Sequence, residues 1–223
     1  MRTTQITDNL TQLTRLGVVN AYLVREDDGI TLVDTMIGGS ADSLLEAARA
    51  AGGEVRRIAL THGHGDHVGS LDALRDRLGG DVEVLMGTLD ARIHAGETVP
   101  GKPRGSWPKL KTVPDVRLVA GDRVGSLEVV ASPGHSPGHV AFLDTRDRSL
   151  IAGDAFTAIG SVAVPTHFYW RFPLAFAATW DRPQALESAR TLRALEPTVL
   201  VVGHGPATRE PGEAMDRAIA RAS

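Results

Sequence analysis

The segment Thr61–Ser70, THGHGDHVGS, concentrates side chains that bind metal ions. Its candidate ligands are His62, His64, Asp66 and His67. Imidazole and carboxylate groups together suit zinc, and they also accept iron or manganese. A single histidine is more often a core or surface residue, and one aspartate could simply cap a helix. Four such groups within six positions are hard to explain in that way, so the segment predicts a metal site.

The flanking sequence places this cluster on a turn. VRRIAL before it is typical of a buried strand, and VGSLDALRDRL after it is typical of a helix. Side chains two positions apart on an extended turn project to the same side, so we expect His62 and His64 to converge on one ion. Asp66 and His67 lie where the chain bends into the helix, and we expect them to face a second ion.

Four residues cannot complete the coordination shells of two ions, so further ligands are needed. Three later apolar runs are each followed by a candidate ligand. LEVVASPGH leads to His135, SLIAGD to Asp154 and TVLVVGH to His204. Each residue taken alone could be an ordinary loop residue. Together, each after an apolar run and close to glycine, they indicate loops that crowd around the same ions.

This series resembles the metallo-β-lactamase superfamily of metal-dependent hydrolases, in particular its glyoxalase II and lactonase branches. LVDTM at Leu32–Met36 and the later loops SPGHSPGHVAF and VVGHGP are similar to segments of the same fold. The resemblance extends from about Val18 to Pro206. It implies an α/β fold, an αββα sandwich of two mixed β-sheets flanked by helices, with the site at the edge between the sheets.

The resemblance also implies two divalent metal ions, most readily zinc, with iron or manganese as alternatives. The ligands of the first ion would be His62, His64 and His135. The ligands of the second would be Asp66, His67 and His204. Asp154 would bridge both ions, and Asp66 would also orient the attacking water and return a proton to the leaving group.

The other histidines fit no ligand position. His139 is either a hydrogen-bonding partner of a ligand or a structural residue. We expect His94 to be a surface residue, and we expect Asp34 to brace the site through hydrogen bonds.

The segment Phe156–Trp180 contains seven of the ten aromatic residues. It follows the predicted bridging aspartate directly, so we expect it to form a wall or lid over the metals. The candidate substrate contacts are His167, Tyr169, Trp170 and Phe172. An aromatic wall suits an apolar or acyl-bearing substrate. The same residues could instead form a homodimer interface.

Short β-branched runs alternate with amphipathic segments along the chain. The predicted strands are Val18–Val24, Ile30–Asp34, Val55–Leu60, Val82–Met86, Ser126–Val130, His139–Leu143, Ser149–Ala152 and Thr198–Val202. The predicted helices are Ser40–Ala51, Val68–Leu78, Pro183–Leu195 and Glu213–Arg221. The proline-rich, basic segment Gly96–Asp115 predicts a long loop, either solvated or contacting an anion.

Composition sets broader limits. With 223 residues, we expect one domain over residues 1–223. The net charge of −3 provides no general attraction for nucleic acid. The absence of cysteine excludes disulfides, cysteine-ligated zinc and a cysteine nucleophile. No apolar run approaches the roughly 20 residues that span a bilayer, so we expect no membrane partner and a cytoplasmic location.

The sequence therefore predicts a binuclear hydrolase in which a metal-activated hydroxide attacks an ester, thioester, lactone or amide-type carbonyl of a small molecule. A single-iron persulfide dioxygenase is the alternative from another reaction class, and a β-lactam-hydrolysing enzyme is the alternative within hydrolysis. Longer glyoxalase II enzymes add a C-terminal helical region, whereas only 19 residues follow His204 here.

Overall fold

The computed structural model describes residues 1–99 and 103–223. Two mixed β-sheets face each other, and helices pack on the outer face of each sheet. This arrangement confirms the αββα sandwich that the sequence predicts. Within the described residues, no helix has the length and apolar character needed to cross a membrane.

The first sheet has seven strands that lie side by side in chain order. They are β1 (Arg2–Gln5), β2 (Leu10–Arg15), β3 (Val19–Glu26), β4 (Gly29–Val33), β5 (Val55–Leu60), β6 (Glu83–Gly87) and β7 (Val116–Leu118). Strands β1–β4 are antiparallel, and β4–β7 run parallel. In the β3–β4 hairpin Glu26 pairs with Gly29 across the turn residues Asp27 and Asp28.

The second sheet has six strands in the order β13-β12-β11-β10-β9-β8. Their bounds are β8 (Arg123–Val124), β9 (Leu127–Ala131), β10 (Val140–Asp144), β11 (Ser149–Ile151), β12 (Val199–Val201) and β13 (Thr208–Arg209). Only β11 and β12 pair in parallel, and the other neighbours are antiparallel.

Over the described residues, seven α-helices and one 3-10 turn lie between or after the strands. They are α1 (Ala41–Ala50), α2 (Gly65–Val68), α3 (Leu71–Leu78), α4 (Thr88–His94), α5 (Pro173–Ala178), α6 (Arg182–Ala194), α7 (Gly212–Ala222) and the turn Gly153–Ala155. The predicted helix Val68–Leu78 is wrong in its first residues, because the chain turns between α2 and α3. A Cβ atom on Gly69 in that turn would lie 2.5 Å from the Gly65 carbonyl oxygen.

Three layers of apolar side chains hold the sandwich together. Tyr22 and Val33 from the first sheet pack against Phe142 and Val201 from the second. Helices α1 and α3 cover the first sheet, and α6 and α7 cover the second. Each fully buried large side chain contributes about 1.5–3 kcal/mol. The packed sheets thereby fix where β5, β9, β11 and β12 end, and the predicted ligands follow those four strands.

Candidate metal centre

All seven predicted ligands converge at one edge of the sandwich. Their potential ligand atoms form three overlapping groups in which all atoms lie within 4.8 Å of one another. The groups are His62, His64 and His135; His62, His67 and Asp154; and Asp66, His67 and His204. We call the first the His135 subsite and the third the His204 subsite.

Local backbone geometry delivers the first cluster as the sequence predicts. β5 ends at Leu60, and His64 is still extended (φ −73°, ψ 152°) immediately before α2. His62 and His64 therefore precede the helix, whereas Asp66 and His67 lie within it. The chain enters the helix between the two pairs of side chains, which is why they face different subsites.

In the His135 subsite, hydrogen bonds fix the tautomers of two histidines. His64 Nε2 lies 2.8 Å from the carbonyl oxygen of Arg104, which can only accept a proton. The Thr179 hydroxyl donates to the Ala175 carbonyl oxygen, so it accepts from His135 Nδ1 at 3.1 Å. The remaining nitrogens, His64 Nδ1 and His135 Nε2, are therefore unprotonated in the neutral rings, and they lie 3.1 Å apart. Two lone pairs cannot bond each other, and a cation between them would satisfy both.

Asp34 fixes the orientations of the His67 and His62 rings, the second one through Thr61. Its Oδ2 atom accepts from His67 Nδ1 at 2.8 Å and from the Thr61 hydroxyl at 2.8 Å. Because that hydroxyl donates to Asp34, its oxygen accepts from His62 Nδ1 at 3.1 Å. In the neutral rings, the Nε2 atoms of His62 and His67 carry lone pairs that face the centre. The predicted bracing role of Asp34 is confirmed.

In the His204 subsite, the Val18 carbonyl oxygen accepts from His204 Nδ1 at 3.2 Å. His204 Nε2 is then free to bind an ion, and it lies 3.2 Å from Asp66 Oδ2 and 3.3 Å from Asp154 Oδ2. Asp154 also approaches His135 Nε2 at 3.4 Å and His67 Nε2 at 3.5 Å. This carboxylate is thus shared between the two subsites.

The donor set fits divalent metal ions. His62 Nε2, His67 Nε2 and Asp154 Oδ1 are buried polar atoms with no hydrogen-bond partner. An unpaired buried polar group costs about 1–3 kcal/mol, so such groups are rare without a function. Of the six such atoms among the described residues, these three are ligand atoms of the centre, and all three are of types that bind zinc, iron or manganese.

The electrostatics of the ligand set point the same way. Burial lowers the pKa of His67 and His204, but neighbouring carboxylates raise it more, to about 9 and about 10. Burial would raise the pKa of Asp154, but His204 and His67 hold it well below its usual range. Burial and the nearby His67 keep the pKa of His62 well below normal. The carboxylates therefore draw protons onto His67 and His204 when no metal is bound, so the volume between the ligands favours positive charge.

His139 is a hydrogen-bonding partner of the predicted ligand Asp154. This is one of the two roles that the sequence left open for it. Its Nε2 atom accepts from the backbone N–H of Asp154 at 3.1 Å, and its Nδ1 atom donates to the Ser132 hydroxyl at 2.8 Å. The prediction for His94 is wrong. It is half-buried, and its Nε2 atom donates to the carbonyl oxygen of Gly63 at 3.0 Å.

The segment that follows α4 packs on the metal loop. The Arg104 carbonyl oxygen holds His64, and the Trp107 ring lies edge-on to the same imidazole at 5.1 Å between centroids. The basic side chains of Arg104, Lys109 and Lys111 are exposed, and none lines the cavity over the centre. Lys102, part of the same basic pattern, lies outside the described residues.

A cavity of about 910 Å³ opens over the centre. Of the four candidate substrate contacts, only Phe172 lines it, with its ring 4.6 Å from the His204 ring between centroids. His167 and Tyr169 line a smaller cavity of about 180 Å³ beside α7, and Trp170 is 71% exposed. The structure therefore brings Phe172 to the centre and places the other three away from it.

Sequence reasoning missed several groups that hold the ligand loops, notably Asp90, Asn20 and Thr179. Asp90 and Asn20 are fully buried polar residues in α4 and β3. No local pattern marks them, because their partners lie far away in the sequence.

Comparisons with known proteins place this geometry in a family. The sequence profile of the Metallo-beta-lactamase superfamily matches residues 14–204. Uncharacterized protein YobT of Bacillus subtilis (strain 168) is 40% identical over 220 residues, which cover 96% of this chain and 94% of YobT. Probable metallo-hydrolase YybB of the same organism is 28% identical over 84% of this chain and 80% of its own.

Hydroxyacylglutathione hydrolase of Rhodopseudomonas palustris (strain ATCC BAA-98 / CGA009) is 32% identical over 156 residues, which cover 68% of this chain and 49% of that enzyme. The match therefore spans about half the length of that relative. Among solved structures, TTHA1623 in a di-iron-bound form is 30% identical with a TM-score of 0.64, covering 91% of this chain and 95% of its own. The chain belongs to the metallo-β-lactamase superfamily.

Proposed function

We propose that this protein is a binuclear metal-dependent hydrolase that cleaves an ester, thioester, lactone or related amide carbonyl bond. The observation that carries the proposal is the set of five histidine ring nitrogens and two carboxylates facing one volume. Two bound divalent ions would supply water activated at neutral pH. The metallo-hydrolases among its relatives support hydrolysis as the reaction class.

Asp66 is the group best placed to handle the proton of the attacking water. Its carboxylate lies 3.2 Å from His204 Nε2 and lines the cavity, with 38% of the side chain exposed. Burial would raise its pKa, but His67 and His204 lower it below the usual range. The group is therefore ionised at neutral pH and can orient a water molecule by accepting its hydrogen bond.

The cavity wall favours an uncharged, apolar acyl group. Its apolar lining residues are Val18, Val19, Ile37, Phe172, Leu174, Ala175, Ala177 and Ala178. Among the described lining residues there is no lysine or arginine, and the polar side chain besides the ligands is Ser106. A substrate carboxylate placed against this wall, away from the two ions, would lose its hydration without gaining a cationic partner. This favours a neutral ester, thioester or lactone over a β-lactam or a glutathione conjugate.

The test combines metal content with a paired substrate series. Neutral esters with acyl chains of increasing length are compared with the same esters carrying a terminal carboxylate. We expect two metal ions per chain, hydrolysis abolished by chelation, and kcat/KM at least tenfold higher for the neutral series. Replacing His62 by alanine should abolish turnover, and full turnover by this variant without metal would overturn the mechanism.

Metal analysis also separates the proposal from its alternatives. The structural relative TTHA1623 was solved in a di-iron-bound form, so iron is tested beside zinc and manganese. One iron per chain with oxygen consumption on a persulfide would support the dioxygenase. Preference for anionic β-lactams would show that the cavity wall is not the main determinant of the substrate.

A further inference from the structure

Asp90 links the two loops that form the His135 subsite. From α4, its buried carboxylate accepts from the backbone N–H of Gly63 at 3.0 Å, between the ligands His62 and His64. It also accepts from the Ser136 hydroxyl and from the backbone N–H of Gly138, both at 2.6 Å. One carboxylate therefore holds the loop after β5 against the loop between β9 and β10.

The loop between β9 and β10 lies directly against the start of α4. A Cβ atom on Gly138 would lie 2.3 Å from the backbone nitrogen of Asp90, and one on Gly87 would lie 2.0 Å from the Gly138 carbonyl oxygen. Glycine alone permits this approach, which brings the backbone of the loop within hydrogen-bond reach of the Asp90 carboxylate. The exposed fraction of Asp90 is 0%, so water does not compete for its oxygens.

Asn20, in β3, forms hydrogen bonds with the loop that carries His204. Its side-chain Nδ2 donates to the carbonyl oxygens of Val202 at 2.9 Å and Gly205 at 2.7 Å. Its backbone N–H donates to the carbonyl oxygen of Gly203 at 2.9 Å. The three carbonyl groups around His204 are thus all bound by one residue.

A second row of polar groups orients Asn20 itself. Its Oδ1 atom accepts from the Thr14 hydroxyl at 2.9 Å and from Gln12 Nε2 at 3.1 Å. The amide group has four partners and cannot turn without losing them. Asn20 is also 0% exposed.

We propose that the two subsites are positioned independently, the His135 subsite by Asp90 and the His204 subsite by Asn20. The inference rests on the proposed binuclear function, because it concerns the order in which two ions bind and how tightly. Both are positioning residues, since neither contacts a predicted ligand side chain through its own side chain. Partners that hydrogen-bond metal ligands directly contribute about 10- to 100-fold to metal affinity. We expect the lower end of that range from residues that hold the backbone on which the ligands lie.

The test is a zinc titration of metal-free protein against a competing chelator, which resolves two binding events. Reference variants assign the events: His64→Ala removes a ligand of the His135 subsite, and Asp66→Ala removes one of the His204 subsite. We expect Asp90→Asn to weaken the first assigned event at least tenfold and to change the second less than threefold. Asn20→Ala should do the reverse.

Two milder variants cover the case in which either substitution prevents folding. Ser136→Ala removes one hydrogen bond to Asp90, and Thr14→Val removes one to Asn20. Each should weaken the same event as its parent variant, by a smaller factor. Asp122→Asn is the matched control for the loss of a carboxylate, because Asp122 accepts a backbone N–H in a turn away from the ligands, at 2.8 Å from Val119.

The outcomes separate the two proposals. Two events in the wild-type protein, each weakened selectively, support independent positioning. Two events that every variant weakens equally, or that none affects, overturn it and leave the binuclear proposal intact. A stoichiometry of one zinc ion per wild-type chain overturns the binuclear proposal and this inference with it. Two ions that bind in one unresolved event overturn this inference alone.

Discussion

His64 Nδ1 and His135 Nε2 lie 3.1 Å apart, and neither nitrogen has a proton to share with the other. The other ring nitrogens, His64 Nε2 and His135 Nδ1, already donate hydrogen bonds to Arg104 and Thr179. The pair is therefore unfavourable until a cation lies between the rings.

From this contact we expect metal to stabilise the fold. At a free zinc concentration 100-fold above Kd, binding adds about 2.7 kcal/mol to the free energy of unfolding. That corresponds to a rise in Tm of about 5–10 °C for a chain of this size. Calorimetry of the chelated and zinc-loaded protein measures it, and equal Tm values would contradict a metal centre.

Metal binding should also release protons. In the metal-free protein the pKa values of His67 and His204 are about 9 and about 10, so both rings are protonated at pH 7.5. Because metal binds the unprotonated ring, we expect release of roughly two protons per chain. Titration calorimetry in buffers with different ionisation enthalpies counts them, and a count of zero would contradict the prediction.

The same two histidines give the metal-free protein a definite pH dependence. Their pKa values in the folded state lie above the unfolded value of about 6.5, so their contribution to stability is complete below that pH. It is lost as the pH rises through 9 and 10. We expect the Tm of the chelated protein to fall across that range more steeply than the Tm of the zinc-loaded protein.

Gly203 is a sensitive position beside the centre. A Cβ atom there would lie 2.1 Å from Asp154 Oδ1 and 2.6 Å from His67 Cε1. We expect Gly203→Ala to displace the shared carboxylate and to reduce metal content and kcat at least 100-fold. Gly80→Ala is the control, because nothing lies within 4 Å of its added carbon. Wild-type metal content in the Gly203 variant would contradict the geometry.

Phe172 and Trp170 are neighbours with different surroundings. Phe172 lines the cavity and packs on His204, whereas Trp170 is 71% exposed. We expect Phe172→Ala to raise KM for acyl substrates about tenfold, through about 1.4 kcal/mol of lost apolar contact. Trp170→Ala should leave KM unchanged.

The Trp170 variant also tests the predicted homodimer. Phe168, Trp170 and Leu174 are all more than two-thirds exposed. Light scattering of wild type and Trp170→Ala shows whether this segment joins two copies. A lower mass for the variant would support the interface, and a wild-type monomer would rule it out.

The sequence predicts strands well where an apolar run marks them. Val55–Leu60 is both the predicted and the observed span of β5, and the other seven predicted strands agree within one or two residues. β1 was missed because all four of its residues are exposed and no apolar alternation marks them. β2 was missed although it is buried, because Thr11, Gln12 and Thr14 interrupt any such run. α5 was missed because it lies in the aromatic segment, where no helical period stands out.

The ligand set follows from the sequence for a different reason. His62, His135 and His204 each lie just after an apolar run, and their chemistry is unusual at such positions. Asn20 and Asp90 have no such signal. The amide of Asn20 binds carbonyl groups 182 and 185 residues away in the chain, a relationship that only the folded structure reveals.

The segment after β5 of the first sheet supplies His62, His64, Asp66 and His67. Loops after strands of the second sheet supply His135, Asp154 and His204. Each bound ion would therefore link the two sheets at this edge of the sandwich. Separating the sheets there would require several coordination bonds to break together. The amide protons on both sides of this edge should then exchange as one cooperative unit when the centre is filled. In the metal-free protein, the amide protons of the two sheets should exchange as two separate units.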